Sequence, residues 1–305
     1  MKDPQRARQD WSSFLAATDE RLEAKLKSAK PGADVLRIVA EEAWSAGDDV
    51  ILPLAIPVLA PGMVSLRILN TLMEGKVPGQ TVTLFASALE GNVVTEMDAV
   101  LGELAESARP SPALVDAIAI ADLENVVHVA KTDEAGGPFM EHWEQFIQRY
   151  GQRGPGEIDI ARPRWRDEPK SLLHVISGIL QDKPHAQRRR LSEAKAASVA
   201  AEQELIQAAG RGILGILRRP LVRWLIRWVR GYMAMREHHK FWIIQLWGRL
   251  CTALLDTGAM AVKNGWLKKE HDVFMLRIDE LRGEFDVVNA TTLTGDDAPG
   301  NNAPG

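Results

Sequence analysis

The chain has 305 residues, of which 46% are hydrophobic and 26% charged, and its formal net charge is −4. These values exclude a largely disordered polymer, and overall charge selects no partner; nucleic acid is not expected. The single cysteine, Cys251, excludes an intrachain disulfide and a cysteine-based zinc site, so a reducing, cytoplasmic setting is expected.

At roughly 150 residues per domain, the length allows one or two domains. Residues 1–30 read as an N-terminal helical arm and 31–283 as one all-α domain. Residues 284–305, ending in Ala-Pro-Gly, read as a disordered tail. The first residues have no apolar core, so no secretion signal is expected.

In chain order, residues 6–29 and 34–47 carry helical patterning. The apolar stretch 50–73 is broken by Pro53, Pro57 and Pro61 and charged by Arg67. Its longest uninterrupted run falls well short of the ~20 residues of a membrane span. A Pro-punctuated irregular segment leading into a helix over about 62–74 is expected instead. Further helices are expected at 79–90, from 94 or 95 to Pro110, at 113–131 and at 139–150. Residues 151–169 crowd Gly, Pro and Arg together and cannot be helical. Helices resume at 170–181, 185–209, 214–235 and about 236–264, and residues 270–283 read as a short turn and helix. Period-2 alternation is nearly absent, so the fold class is all-α, a multi-helix domain with an ordered loop at 151–169.

Charge is unevenly distributed. Residues 188–240 carry a net of +8, with twelve Lys/Arg against four Asp/Glu. Within them, Arg219, Arg223, Arg227 and Arg230 recur at helical spacing beside Trp224 and Trp228. Three readings fit this stripe: a solvated face whose arginine stems cover apolar neighbours, a membrane-surface helix or an anion-binding face. Gly210-Arg-Gly212-Ile-Leu-Gly215 matches a dinucleotide fingerprint, but a helix-forming segment precedes it where a strand is required. These glycines read as a helix end and hinge. The histidines show no metal-ligand spacing, and no metal site is expected.

Arg236 and Lys240 stand four residues apart. Such a like-charge pair costs roughly 0.2–0.5 kcal/mol if unrelieved. A bound anion would relieve it, and Glu237 reads as pointing off the shared face. Ile243, Ile244 and Trp247 follow, so a cationic clamp beside an apolar wall suits an amphipathic ligand that carries or receives a phosphate.

Four stretches resemble one family. Phe146-Ile-Gln-Arg-Tyr-Gly-Gln-Arg-Gly-Pro-Gly-Glu157-Ile-Asp159-Ile-Ala-Arg162-Pro-Arg164-Trp165 is similar to a signature of the rifampin phosphotransferases, relatives of phosphoenolpyruvate synthase and pyruvate phosphate dikinase. Leu89-Glu-Gly91-Asn92-Val-Val-Thr95-Glu96-Met97, Arg236-Glu-His-His-Lys240 and Asp272-Val-Phe-Met-Leu-Arg-Ile-Asp279-Glu280-Leu281 resemble three further blocks, in the family's order. His239 and Glu90 stand where proline is usual.

The resemblance implies the central, acceptor-holding helical domain of an enzyme whose ATP-grasp and phosphohistidine modules lie outside this chain. Phosphoryl transfer would run from ATP to a histidine and on to a bound acceptor. Arg236 and Lys240 would be catalytic, stabilising the transferring group. Asn92, Met97, Ile243, Ile244 and Trp247 would line the acceptor pocket. Arg153, Glu157, Asp159, Arg162 and Arg164 would form a structural loop, the acids pairing with the arginines. No cofactor is expected in the chain itself; ATP and Mg are implied for the absent modules. The expected partners are an amphipathic small-molecule acceptor and separate ATP-grasp and phosphohistidine domains, and no membrane is expected. Two alternatives stay open: a noncatalytic binder of an apolar antibiotic or metabolite, and a membrane-surface or partner-docking protein built around residues 211–235.

Overall fold

A computed structural model describes residues 3–30, 32–45 and 52–277. Among the described residues are twelve α-helices, one terminal 3-10 helix and no strand, so the class is all-α. The expected boundary at 283 and the tail from 284 lie outside the described residues.

Three larger apolar cores, and a small fourth one of Val58, Trp228, Tyr232 and Met235, organise the described helices. The first joins α5 (Val93–Ala108), α6 (Pro112–Ile120), α7 (Leu123–Ala130), α8 (Gly136–Tyr150) and α9 (Lys170–Gln181) around Leu104, Ile118, Phe139, Phe146 and Ile176. The second packs α3 (Leu52–Met73) and α4 (Thr81–Phe85) on α10 (Ala186–Ala209) and α11 (Gly215–Ala234). The third sets α1 (Pro4–Ser28) and α2 (Ala33–Ser45) against α12 (His238–Lys263) and the 3-10 helix Glu270–Met275, through Leu22, Leu36, Trp242, Leu250 and Val273.

Side-chain caps account for several helix starts. Asp3 caps α1 by accepting from the Gln5 N–H, with Pro4 at the first helical position. Ser111 and Asp122 cap α6 and α7 in the same way. Ala121 between them is left-handed, with φ of 58°, which divides the helix expected over 113–131.

Three further expectations are corrected. Within the described part of the 50–73 segment the chain is not irregular: α3 runs from Leu52 through Pro57 and Pro61. Each proline removes one backbone hydrogen bond, and packing along α11 offsets the loss. Gly62 allows the close approach, since a Cβ there would sit 3.1 Å from both Met233 Sδ and Tyr232 Cβ. The helix expected over 79–90 reduces to the five residues of α4, followed by turns in which Ala88 and Gly91 have positive φ. The helix expected from 236 begins at His238, so Arg236 lies in the turn after α11.

Candidate functional site

The loop at 151–169 joins the first core to the third. Trp165 N–H donates to the Arg153 carbonyl (2.8 Å) and Arg166 N–H to the Gly151 carbonyl (3.0 Å), closing the loop at its base. Trp165 packs on Phe146, and Ile160 packs against the third core. Gly248 of α12 meets the loop so closely that a Cβ there would lie 1.9 Å from Gln152 Oε1.

Arg164, only 1% exposed, is the loop's internal post. Its Nη1 donates to the Glu157 carbonyl at 2.5 Å and its Nη2 to the Asp159 carbonyl at 3.1 Å. It therefore holds backbone, not the acidic side chains expected to pair with it. Those acids take the other arginines: Arg153 Nε meets Glu157 Oε2 at 2.6 Å, and Arg162 Nε lies 3.7 Å from Asp159 Oδ2.

Glu157 reaches further. Its side chain is 10% exposed, and its Oε1 receives Lys240 Nζ at 3.2 Å, from the first turn of α12. Gly154 N–H adds a long contact of 3.4 Å to Oε2. Burial alone would raise this carboxyl's pKa. The Arg153 guanidinium, with Lys240 and the Gly154 N–H, more than offsets burial and holds it below the usual carboxylate range. Lys240 and the loop border an open depression of about 750 Å³, lined also by Gly154, Asp159 and Trp165.

Arg236 occupies the turn between α11 and α12 and pairs with its neighbour, Arg236 Nε to Glu237 Oε1 at 3.0 Å. Glu237 does not point away, as the spacing had suggested. A turn, unlike a helix, brings adjacent side chains together. Each cation thus has a carboxylate partner, and the like-charge cost expected of one helix face is relieved from within the protein.

The pocket residues expected beside this clamp are spread across the fold. Asn92 caps α5, its Oδ1 accepting from Val94 N–H (3.1 Å) and Thr95 N–H (3.2 Å). Met97 is buried in the first core. Ile244 is buried, and Ile243 and Trp247 pack against the third core. None of the five lines the depression beside Lys240.

A larger cleft of about 840 Å³ opens between the first turn of α1, the 89–91 turn and α11. Arg227 of α11 meets Asp3 at 2.8 Å, Arg230 Nε meets Glu202 at 2.6 Å, and Arg8 Nη2 donates to the Gly91 carbonyl at 3.3 Å. His238 does not line the cleft, but the charge of Arg8, which does, reaches it. Burial lowers its pKa first, and the Arg8 charge lowers it further. The contributions of Asp3 and Arg8 escaped the sequence reading. Asp3-Pro4 is a legible helix start, but nothing in its spacing names α11 as its partner.

The profile of the rifampicin phosphotransferase fourth domain matches residues 54–237. The chain belongs to the rifampicin phosphotransferase family. Rifampicin phosphotransferases of a Streptomyces species and of Streptomyces sviceus are 31% and 30% identical to it, each over 75% of this chain. That of Bacillus cereus is 25% identical over 83% of this chain. The chain spans only 26–29% of the length of these relatives. The matched domain contains α11 and Arg236, whereas Lys240 lies just past its end. Among the described residues, no group of three His, Cys, Asp or Glu side chains stands together as a metal cage.

Proposed function

We propose that this chain is the acceptor-holding part of an ATP-dependent, phosphohistidine-mediated phosphotransferase, with Arg236 and Lys240 flanking the transferring phosphoryl group. The observation that carries this reading is the position of Lys240. It stands on the rim of a depression walled by the family's Gly-Pro-Gly-Glu-Ile-Asp loop, 3.2 Å from that loop's glutamate and one turn past Arg236. Both cations are partly exposed and can exchange a carboxylate for a phosphoryl oxygen. Phosphoryl transfer concentrates negative charge on equatorial oxygens, and guanidinium and ammonium groups are suited to stabilise it. ATP and Mg belong to modules supplied by other polypeptide segments; the acceptor is an amphipathic small molecule bearing a hydroxyl.

Reconstitution tests the reading. The chain is mixed with the ATP-grasp and phosphohistidine domains of a rifampicin phosphotransferase, ATP, Mg²⁺ and rifampicin, and phosphorylated rifampicin is followed by mass spectrometry. Turnover that disappears in the Arg236→Ala, Lys240→Ala double variant is expected. No turnover with the folded wild-type chain defeats the reading.

A second reading is favoured by the fact that each cation already has a carboxylate partner in the resting protein. The chain would then sequester an apolar antibiotic or metabolite without transferring anything to it. Saturable quenching of tryptophan emission by rifampicin, unchanged in the same double variant, is its signature.

A further inference from the structure

The segment from Gly210 to Trp224 leaves an apolar ridge uncovered. Ile213 is 96% exposed, Ile216 86% and Leu217 74%; Leu214, Leu221 and Trp224 are exposed as well. Side chains this bare project from a surface and cannot line a groove. The inner face of α11 is spoken for, since Val222, Leu225, Ile226 and Val229 enter the second core. At helical spacing, Ile216, Leu217, Leu221 and Trp224 run along the opposite face. Arg219 and Arg223 border that stripe, four residues apart.

The charge on this ridge has one sign. No acidic residue occurs between Glu204 and Glu237, while seven arginines do. Two of them, Arg227 and Arg230, are paired with Asp3 and Glu202. Among the described residues, Arg211, Arg218, Arg219 and Arg223 have no ion-pair partner; Arg211, Arg219 and Arg223 are exposed. The neighbouring helix α3 also turns apolar side chains outward, with Met63 and Val64 more than half exposed.

We infer that this ridge seats on a bilayer surface rich in anionic lipid. Isoleucine, leucine and tryptophan beside unpaired arginines is the composition of an interfacial helix, whose apolar side enters the headgroup boundary while its cations meet lipid phosphates. A convex projection needs no shaped receptor when the partner is fluid. Nucleic acid would satisfy the arginines but leave six apolar side chains in water. This departs from the sequence-based expectation that no membrane is involved, and it stands independently of the phosphotransferase reading.

Vesicle flotation at low ionic strength tests it, using phosphatidylcholine with phosphatidylglycerol, and phosphatidylcholine alone. The expected result is flotation with the anionic vesicles only, weakened by salt. Arg219→Gln with Arg223→Gln is expected to weaken partitioning by about thirty-fold, from about 1 kcal/mol per arginine near the surface. Ile216→Asp with Leu217→Asp should abolish it. All four substitutions are at exposed positions, and unchanged thermal melting verifies each fold. Absence of flotation by the folded wild-type chain, equal flotation with neutral vesicles, or flotation indifferent to both variant pairs overturns the inference. Self-association through the ridge without vesicle binding overturns it too.

Discussion

Replacing Glu157 by glutamine probes the loop at its most connected atom pair. The side chain keeps its shape but loses the charge that faces Arg153 Nε at 2.6 Å and Lys240 Nζ at 3.2 Å. Arg153 and Glu157 are 14% and 10% exposed, so solvent screens their contact weakly. Breaking a buried pair by removing one partner costs about 3–5 kcal/mol, and a glutamine that still accepts one hydrogen bond recovers part of that. Lys240 is 45% exposed and adds about 1 kcal/mol at most. The expected loss is therefore about 2–3 kcal/mol near pH 7.

The pH dependence fixes the cause. The folded pKa of Glu157 lies below its ordinary value of 4.5. The unfolded chain therefore takes up this proton first as pH falls. The stabilisation is complete well above pH 4.5, declines below it, and is gone once pH has passed the folded pKa. Urea unfolding of wild type and Glu157→Gln at pH 7, 5, 4 and 3 measures the gap between them. A gap under about 0.5 kcal/mol at pH 7, the range of ordinary surface substitutions, refutes the reasoning, as does a gap that stays constant down to pH 3.

Three other outcomes follow from the same structure. Arg164→Leu removes a buried guanidinium from the Glu157 and Asp159 carbonyls and is expected to cost about 1–3 kcal/mol, read by urea unfolding; a cost below about 0.5 kcal/mol removes its role as a post. Asn92→Ala should lower stability by about 1 kcal/mol through loss of the α5 cap, with Asn92→Asp nearly neutral. Equal thermal melting of all three proteins would free Asn92 for a ligand role. The His238 ring, depressed by burial and then by Arg8, should titrate below 6.5 by NMR, so its neutral form favours folding until pH drops through that region. A midpoint at or above 6.5 contradicts its placement.

Several helices were legible from patterning alone. Residues 170–181 match α9 without adjustment, and the glycines from Gly210 to Gly215 mark a helix end, since α10 closes at its C-cap Gly210 and α11 opens at Gly215. Proline rules misled over 50–73, because two lost hydrogen bonds weigh less than the packing of a long apolar helix along α11. Ala121 gave no warning of its left-handed turn, since alanine is the strongest helix former. At the candidate site, the loop's internal charge pairing could be read from its spacing, and Arg153 with Glu157 bears that out. Two things could not be read: that Arg164 would turn inward to carbonyls, and that Glu157 would reach Lys240. Contacts across 83 positions leave no periodicity behind. Asn92, Met97, Ile243, Ile244 and Trp247 were grouped by resemblance and spacing, whereas Asn92 caps α5, Met97 belongs to the first core, and Ile243 and Trp247 pack against the third.

The two carboxylates that neutralise Arg236 and Lys240 differ in what an arriving anion must disturb. Glu237 adjoins Arg236 in an exposed turn, and such a pair is worth about 0–1 kcal/mol. Glu157 is held from inside by Arg153 whether or not Lys240 is present. If Lys240 swings toward a phosphoryl oxygen, the glutamate is not left as a buried unpaired charge, because its stronger partner remains at 2.6 Å. The expensive half of the arrangement is permanent and the exchangeable half sits at the rim of the depression. A lysine tethered by a carboxylate that does not depend on it can be aimed at rest and released at little cost, which is the property a phosphoryl-transfer clamp requires.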